Sequence, residues 1–130
     1  MKNYVLAAIA LTAPFAIVSP ASATNLRPYT DAAFAAAQAE GRPILIDVHA
    51  PWCPVCAAQG KVIDKATADP KFAKLIVFRI DYDTQKPLWQ KFKAQKQSTL
   101  IAFHGTRETK RLAYDANADH VNAVLAATLG

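Results

Sequence analysis

The chain has 130 residues, of which 15 are lysine or arginine and 10 are aspartate or glutamate, so its formal net charge is +5 at pH 7. Its basic residues are scattered and do not alternate with aromatic residues on any predicted strand, which argues against a nucleic-acid-binding protein. Only two cysteines are present, too few for a structural zinc site built mainly from sulfur.

The first 23 residues are predicted to be a secretory signal peptide. Lys2 gives a positive start, residues 5–18 are mostly apolar, and a small-residue cleavage pattern ends at Ala23. The apolar stretch is shorter than the roughly 20 residues that a membrane span requires. We therefore expect cleavage after Ala23, a periplasmic or secreted location, and one domain over residues 24–130. An uncleaved N-terminal anchor is the alternative.

Helices and strands are predicted to alternate along the mature chain, after a lead-in without regular structure at residues 25–28. An alanine-rich segment at 31–40 begins with capping residues and ends at Gly41, as a helix does. Mostly apolar runs at 44–49 and 75–82 predict buried strands, and the helix between them makes the pair parallel. The other predicted elements are helices at 53–66 and 87–94, a hairpin of strands at 99–103 and 107–113, and a last helix capped by Asn117.

The two cysteines lie in the sequence Cys53-Pro54-Val55-Cys56, at the start of a predicted helix. A disulfide here would close a four-residue loop and contribute only about 1.9 kcal/mol of stability, so its value is more chemical than structural. The free N–H groups and the dipole of a helix start favour a thiolate at Cys53, and Pro54 suits the first helical turn. We expect Cys53 to be the exposed attacking sulfur and Cys56 the more buried resolving sulfur. The pattern predicts a redox-active dithiol; a structural disulfide and half of a zinc site are the alternatives.

This order of elements resembles the thioredoxin superfamily across essentially the whole mature chain. Residues 44–47, followed by Trp52 and the dithiol, are similar to the family's active-site strand and helix. Residues 98–103 are similar to the segment that begins, in the family, with a cis-proline. The resemblance implies an α/β thioredoxin fold with a central mixed four-stranded sheet and helices on both faces. It also implies an exported thiol-disulfide oxidoreductase, which we expect to be a monomer.

The resemblance assigns roles to residues around the dithiol. Asp47, six residues before Cys53, matches the buried family acid that helps to deprotonate the resolving cysteine. Arg79 falls where the family often has a lysine near that acid, and a structural ion pair between Asp47 and Arg79 is the alternative. His49 shares a strand face with Asp47 and replaces an aromatic residue of many thioredoxins. It could titrate near neutral pH and stabilise the Cys53 thiolate, or simply be a hydrogen-bonded histidine at the strand end.

Three residues are predicted to bind substrate. Trp52 precedes the attacking cysteine and is expected to shield it or to contact substrate, with plain packing as the alternative. Gln97 and Ser98 are expected to face Cys53, unless they form an ordinary junction between loop and strand. Ser98 replaces the cis-proline of the family, and a cis bond before a residue other than proline costs about 2.5–4 kcal/mol. The Gln97–Ser98 bond is therefore either trans or held cis under strain.

These features predict that the protein reduces disulfides of substrate proteins by dithiol exchange at Cys53 and Cys56. Electrons would come from a membrane thiol-redox partner, and neither a metal nor an organic cofactor is required. Oxidation of dithiols is the main alternative, because Pro54 and a cationic His49 would both stabilise the thiolate and hence the reduced form. Two further alternatives are a Cu(I) site made of the two cysteines and a histidine, and a module that only binds partners.

Overall fold

The computed structural model describes residues 25–130, so the predicted signal peptide lies outside the described residues. The elements are β1 (Leu26–Pro28), α1 (Asp31–Ala39), β2 (Pro43–His49), α2 (Pro54–Thr67), a short 3-10 helix (Pro70–Phe72), β3 (Ile76–Asp81), α3 (Lys86–Lys91), β4 (Thr99–His104), β5 (Arg107–Ala113) and α4 (Ala118–Ala127). Within the span from 25 to 130, no helix combines the length and apolar character needed to cross a membrane.

The strands form one mixed sheet in the order β1-β3-β2-β4-β5. Strands β1 and β2 run parallel to β3, whereas β4 is antiparallel to both β2 and β5. The sheet thus has five strands rather than the expected four, and the expectation of an irregular lead-in is wrong. Leu26 pairs with Val77 and Pro28 with Arg79. Strand β1 has no apolar run, and all three of its residues are exposed. Its strand conformation therefore comes from pairing with the edge of β3.

The two faces of β2 pack against different helices. Ile44, Ile46 and Val48 belong to an aromatic-rich cluster that includes residues of α1 and α3. Leu45 points the other way, into a cluster with residues of α2 and α4. Because side chains alternate along a strand, Asp47 and His49 lie on the same face as Leu45. The fold therefore places these two polar side chains on the sheet face that α2 covers.

Helix α3 is shorter than the predicted helix at 87–94. Lys93 has a φ of +56°, and the N–H of Ala94 donates to the carbonyl of Trp89 at 2.9 Å. A residue in the left-handed region is a common way to end a helix. The backbone turn at Lys93 therefore stops α3 at Lys91 and starts the loop that leads to β4.

Candidate active site

The two cysteines lie where β2 gives way to α2. Cys53 is the N-cap of α2, and its Sγ accepts a hydrogen bond from the Cys56 N–H at 3.2 Å. Pro54 occupies the first turn of the helix, where a proline fits because that turn's N–H groups have no partner within the helix. Local sequence therefore fixes both the helix start and the position of the Cys53 sulfur.

Both cysteines are free thiols and both are buried, each with 3% of its surface exposed. The expectation that Cys53 is exposed is therefore wrong. The reason is packing, because the two cysteines form a small cluster with Ala50, against which Val55 and Tyr82 pack. An incoming disulfide must therefore react with a Cys53 sulfur that is almost completely covered in the folded protein.

Ser98 lies directly beside the dithiol. Its Oγ is 3.0 Å from the Cys53 Sγ and 2.8 Å from the Cys56 Sγ. None of the peptide bonds of residues 25–130 is cis, so Gln97–Ser98 is trans, and Ser98 instead has a φ of +61°. Its N–H, which donates to the Val48 carbonyl at 2.8 Å, ties it to the end of β2. That N–H is therefore engaged within the protein.

The hydrogen bonds around the two sulfurs affect them unequally. Burial raises the pKa of the Cys53 thiol, but hydrogen bonds from the side chains of Cys56 and Ser98 and from the N–H groups of Cys56 and Val55 outweigh it. The net result is a Cys53 pKa below its ordinary value. Burial raises the pKa of the Cys56 thiol, and its hydrogen bond to Cys53 raises it further. The geometry therefore favours Cys53 as the thiolate and Cys56 as the protonated partner.

Gln59 is a site residue that the sequence analysis missed. It lies on α2, three residues after Cys56, and is 1% exposed. Its Nε2 donates to the Ser98 carbonyl at 3.1 Å and to the Asp115 carbonyl at 2.8 Å. Gln59 thereby ties the Ser98 loop and the segment after β5 to α2. The available signal was its spacing, because residues three apart share a helix face and Gln59 must therefore lie on the same side as Cys56.

Asp47 and Arg79 form a structural ion pair, which is the alternative role of Asp47. Both the Nε and the Nη2 of Arg79 donate to Asp47 Oδ2, at 3.1 and 2.9 Å. The Asp47 side chain is 5% exposed and that of Arg79 is 33% exposed, so the guanidinium links the buried carboxylate to the solvent. Both bonds end on Oδ2, which leaves Oδ1 outside the pair. The role of Asp47 as proton acceptor for Cys56 stays a prediction.

His49 is half-buried at the end of β2, and its Nδ1 is buried without a hydrogen-bond partner in the described part of the chain. Burial lowers the pKa of His49 and the nearby charge of Arg79 lowers it further, against the opposing effects of Asp47 and Asp81. The expectation of a cationic His49 near neutral pH is therefore not supported. A neutral imidazole supplies no charge to the Cys53 thiolate.

The exposed surface beside the dithiol contains two aromatic residues. Trp52 is 58% exposed, and its indole N–H donates to Asp83 Oδ2 at 2.9 Å. Tyr114 is 52% exposed, and the Lys96 Nζ lies 5.3 Å from the centre of its ring. Gln97 is half-buried immediately before Ser98. Trp52 and Gln97 thus lie where contact with a substrate is feasible, and Tyr114 joins them although the sequence analysis did not select it.

A metal site is not formed by the side chains at this location. Over residues 25–130, no group of three or more histidine, cysteine, aspartate or glutamate side chains is arranged to hold a metal ion. The Cu(I) alternative requires the two cysteines and a histidine to come together, and the described residues do not bring such a set together.

The chain matches a thioredoxin-like family model, thioredoxins and a protein that contains a thioredoxin. A family model described as thioredoxin-like matches residues 24–106. A thioredoxin of Alicyclobacillus acidocaldarius subsp. acidocaldarius is 31% identical over 83 residues, which are 64% of this chain and 78% of that protein. A bifunctional thioredoxin reductase/thioredoxin of Mycobacterium leprae (strain TN) is 30% identical over 84 residues, which are 64% of this chain but only 18% of that protein.

Solved structures resemble this one over most of their length. The crystal structure of Trxlp from Edwardsiella tarda EIB202 has a TM-score of 0.73 and 40% identity, covering 77% of this chain and 97% of that one. A thioredoxin from Malassezia sympodialis has a TM-score of 0.67 at 19% identity, covering 81% of this chain and 92% of that one. This likeness concerns the fold alone. The predicted α/β thioredoxin fold is confirmed, with five strands in its sheet.

Proposed function

Because the chain belongs to the thioredoxin-like family, we propose that it is a thiol-disulfide oxidoreductase that acts through Cys53 and Cys56. One observation carries the proposal. The two sulfurs meet at the start of α2 with unequal surroundings, which lower the pKa of Cys53 and raise that of Cys56. Dithiol exchange requires this division, in which one sulfur is a thiolate that attacks and the other keeps its proton until later.

In the proposed reaction the Cys53 thiolate attacks one sulfur of a substrate disulfide. A bond forms between Cys53 and that sulfur, and the other substrate sulfur leaves with the electron pair and takes a proton. Cys56 then loses its proton and attacks the Cys53 sulfur, which releases the second substrate thiol. The substrate gains two electrons, and the protein is left with a Cys53–Cys56 disulfide.

Reduction of substrate disulfides is the proposed direction. The relatives named above are thioredoxins or contain one joined to a thioredoxin reductase, which supports a protein that is reduced by a partner and then reduces others. Trp52, Gln97 and Tyr114 offer an exposed surface beside the dithiol for substrate proteins. No organic cofactor or metal is needed, because the dithiol itself carries the electrons.

Oxidation of substrate dithiols by the same residues is the second candidate. One observation favours it, because the hydrogen bonds at the Cys53 sulfur stabilise a thiolate. A stabilised thiolate stabilises the reduced protein, and a stable reduced form makes the disulfide a stronger oxidant. The reduction potential of the couple separates the two directions, since thioredoxin has a potential of about −270 mV and a strong oxidant such as DsbA about −120 mV.

Export is part of the proposal, and it rests on the signal-peptide pattern of the first 23 residues. An exported reductase needs electrons from outside its own compartment, so the proposed partner is a membrane thiol-redox protein. Mass spectrometry of the protein from a periplasmic extract should give a chain that begins at Thr24. A full-length chain retained in the membrane fraction would instead support an uncleaved anchor.

The test of the proposed function uses two cysteine variants in a disulfide-reduction assay with insulin as substrate and a small dithiol as electron source. Cys53→Ser should abolish the reaction, because no attacking sulfur remains. Cys56→Ser should form a stable mixed disulfide with substrate, because Cys53 can still attack but nothing releases it.

Ala57→Ser is a matched control, since it adds a hydroxyl at an exposed position of the same helix without removing a sulfur. It should retain wild-type activity. Activity that survives in Cys53→Ser would rule out the proposed mechanism, as would a Cys56→Ser variant that never traps substrate.

A further inference from the structure

The Ser98 hydroxyl is the only side-chain group other than the cysteines themselves that is hydrogen-bonded to both sulfurs in residues 25–130. We propose that Ser98 is a catalytic member of the dithiol centre, which donates its one hydrogen to the Cys53 thiolate and accepts the hydrogen of the Cys56 thiol. The hydroxyl thereby determines which sulfur attacks first. This inference rests on the proposed function, and it adds to it a residue that replaces the cis-proline of the family.

The direction of the two hydrogen bonds follows from counting donors. A serine hydroxyl has a single hydrogen and can also accept, so it cannot donate to both sulfurs at once. Cys53 is the N-cap of α2, and its sulfur already accepts a hydrogen bond from the Cys56 N–H at 3.2 Å. A sulfur that has an N–H donor at a helix start is the better place for a negative charge. The Ser98 hydrogen therefore points to Cys53, and the single hydrogen of the Cys56 thiol is shared between Ser98 Oγ and the Cys53 sulfur.

The backbone around Ser98 holds the hydroxyl in place. Its φ of +61° is unusual for a residue other than glycine. Three hydrogen bonds nonetheless fix the main chain of Ser98: its N–H donates to Val48, and its carbonyl accepts from the Tyr114 N–H at 3.0 Å and from Gln59 Nε2. Strained backbone that its surroundings hold firmly is a common feature of functional sites. None of the three bonds involves the hydroxyl, so all of them survive its removal.

The same hydroxyl can serve the second half of the reaction. Once Cys53 has formed the mixed disulfide with substrate, its sulfur carries no charge and no longer needs the Ser98 hydrogen. The hydroxyl, 2.8 Å from the Cys56 Sγ, can then turn its hydrogen to Cys56 as that thiol loses its proton. The Cys56 thiolate attacks Cys53, the Cys53–substrate bond breaks, and the substrate sulfur leaves with the electron pair and is protonated.

The test compares wild-type protein with Ser98→Ala and Ser98→Gly. Both variants lose the hydroxyl, but glycine adopts a positive φ without cost, so Ser98→Gly keeps the fold even if Ser98→Ala does not. Two quantities are measured: the pH midpoint of Cys53 alkylation by iodoacetamide, with the modified site read by mass spectrometry, and the redox equilibrium with glutathione. A lost hydrogen bond to a charged sulfur should raise the alkylation midpoint by about one pH unit and shift the equilibrium about tenfold toward the disulfide.

Thr99→Val is the matched control, because Thr99 is the next residue and its Oγ1 donates to the Lys96 carbonyl at 2.7 Å, away from the sulfurs. It should leave both quantities at the wild-type values. Unchanged values in Ser98→Gly would overturn the proposal, and a shift in Ser98→Ala alone would assign the effect to the backbone. If the pH midpoint of Cys53 alkylation shifts as expected but wild-type protein reduces no disulfide, the proposed function fails. The role of Ser98 in stabilising the thiolate then stands.

Discussion

At the scale of single residues, His49 shows how burial decides what a polar side chain does. Its neighbours include two carboxylates, Asp47 and Asp81, which raise its pKa, yet burial and the charge of Arg79 lower it by more. The imidazole is therefore neutral in the folded protein at a pH where it begins to be protonated in the unfolded chain. Replacing the aromatic residue of many thioredoxins by histidine thus adds a polar group without adding a charge beside the dithiol.

This arrangement predicts how stability depends on pH. Because the pKa of His49 is lower in the folded protein, its contribution to stability is complete above the unfolded value of about 6.5 and is lost as the pH falls through the folded value. The free energy of unfolding, measured by urea titration from neutral to mildly acidic pH, should therefore fall more steeply for wild-type protein than for His49→Gln.

The control for the substitution itself is Asn122→Gln, at an exposed position of α4 that carries no titratable group. It should show the same slope as the wild type over this pH range. A His49→Gln slope equal to or steeper than the wild-type slope would contradict the prediction.

Sequence reasoning identified most residues of the site but not how they meet. The spacing of Cys53 and Cys56 and the helix start between them are local features, so they were predictable. The contact of Ser98 with both sulfurs depends on β4 pairing with β2, which places Ser98 beside Val48. Its trans peptide bond and positive φ follow from that tertiary contact and not from any local preference. The burial of Cys53 was missed for the same reason.

At the scale of secondary structure, α2 does more than present the dithiol. Through Gln59 it donates to two main-chain carbonyls, one of Ser98 before β4 and one of Asp115 after β5. The two loops that flank the active site are therefore attached to the helix that bears the cysteines. This arrangement keeps the Ser98 hydroxyl at a fixed distance from both sulfurs.

Replacing Gln59 by leucine should therefore be costly although the side chains are similar in size. The Ser98 carbonyl would keep the Tyr114 N–H as a donor, but the Asp115 carbonyl would lose the Gln59 donor. An unsatisfied buried group costs about 1–3 kcal/mol. We expect Gln59→Leu to lower the free energy of unfolding, measured in urea, by about 2 kcal/mol and to speed hydrogen exchange of the Tyr114 N–H. Gln90→Leu, at an exposed position on α3, should change stability by about 0.5 kcal/mol or less. Equal losses in the two variants would contradict the role given to Gln59.

The element that sequence reasoning missed is β1. It has three exposed residues, one of them a proline, and proline is found in sheets almost only at edges or at strand ends. Its strand conformation comes from hydrogen bonds with β3, such as that from the Val77 N–H to the Asn25 carbonyl at 3.1 Å. The central strands β2, β3 and β4 were predictable because each is a nearly continuous apolar run, which both faces of a covered sheet require.

At the scale of the whole molecule, the sheet brings distant segments to one end. The carboxyl end of β2 lies beside the amino end of β4 because the two strands are antiparallel, with Val48 paired to Thr99. The start of α2 follows β2, and the loop after β5 returns to the same end, where the Tyr114 N–H meets the Ser98 carbonyl. The dithiol therefore lies at a junction of three chain segments, which explains how two adjacent thiols come to be buried.

The direction of the redox reaction can be measured on the whole molecule, because the reduction potential and the stability of the fold are linked. A disulfide that closes the four-residue loop restricts the unfolded chain and so stabilises the oxidised protein by about 1.9 kcal/mol. The hydrogen bonds to the Cys53 thiolate stabilise only the reduced protein. For a reductase, we expect the oxidised protein to unfold at the higher urea concentration. Ser98→Gly should widen that difference, because it removes a bond that only the reduced form uses. A reduced protein that is the more stable of the two would instead identify an oxidant, since the energy stored in its disulfide would then drive the oxidation of substrates.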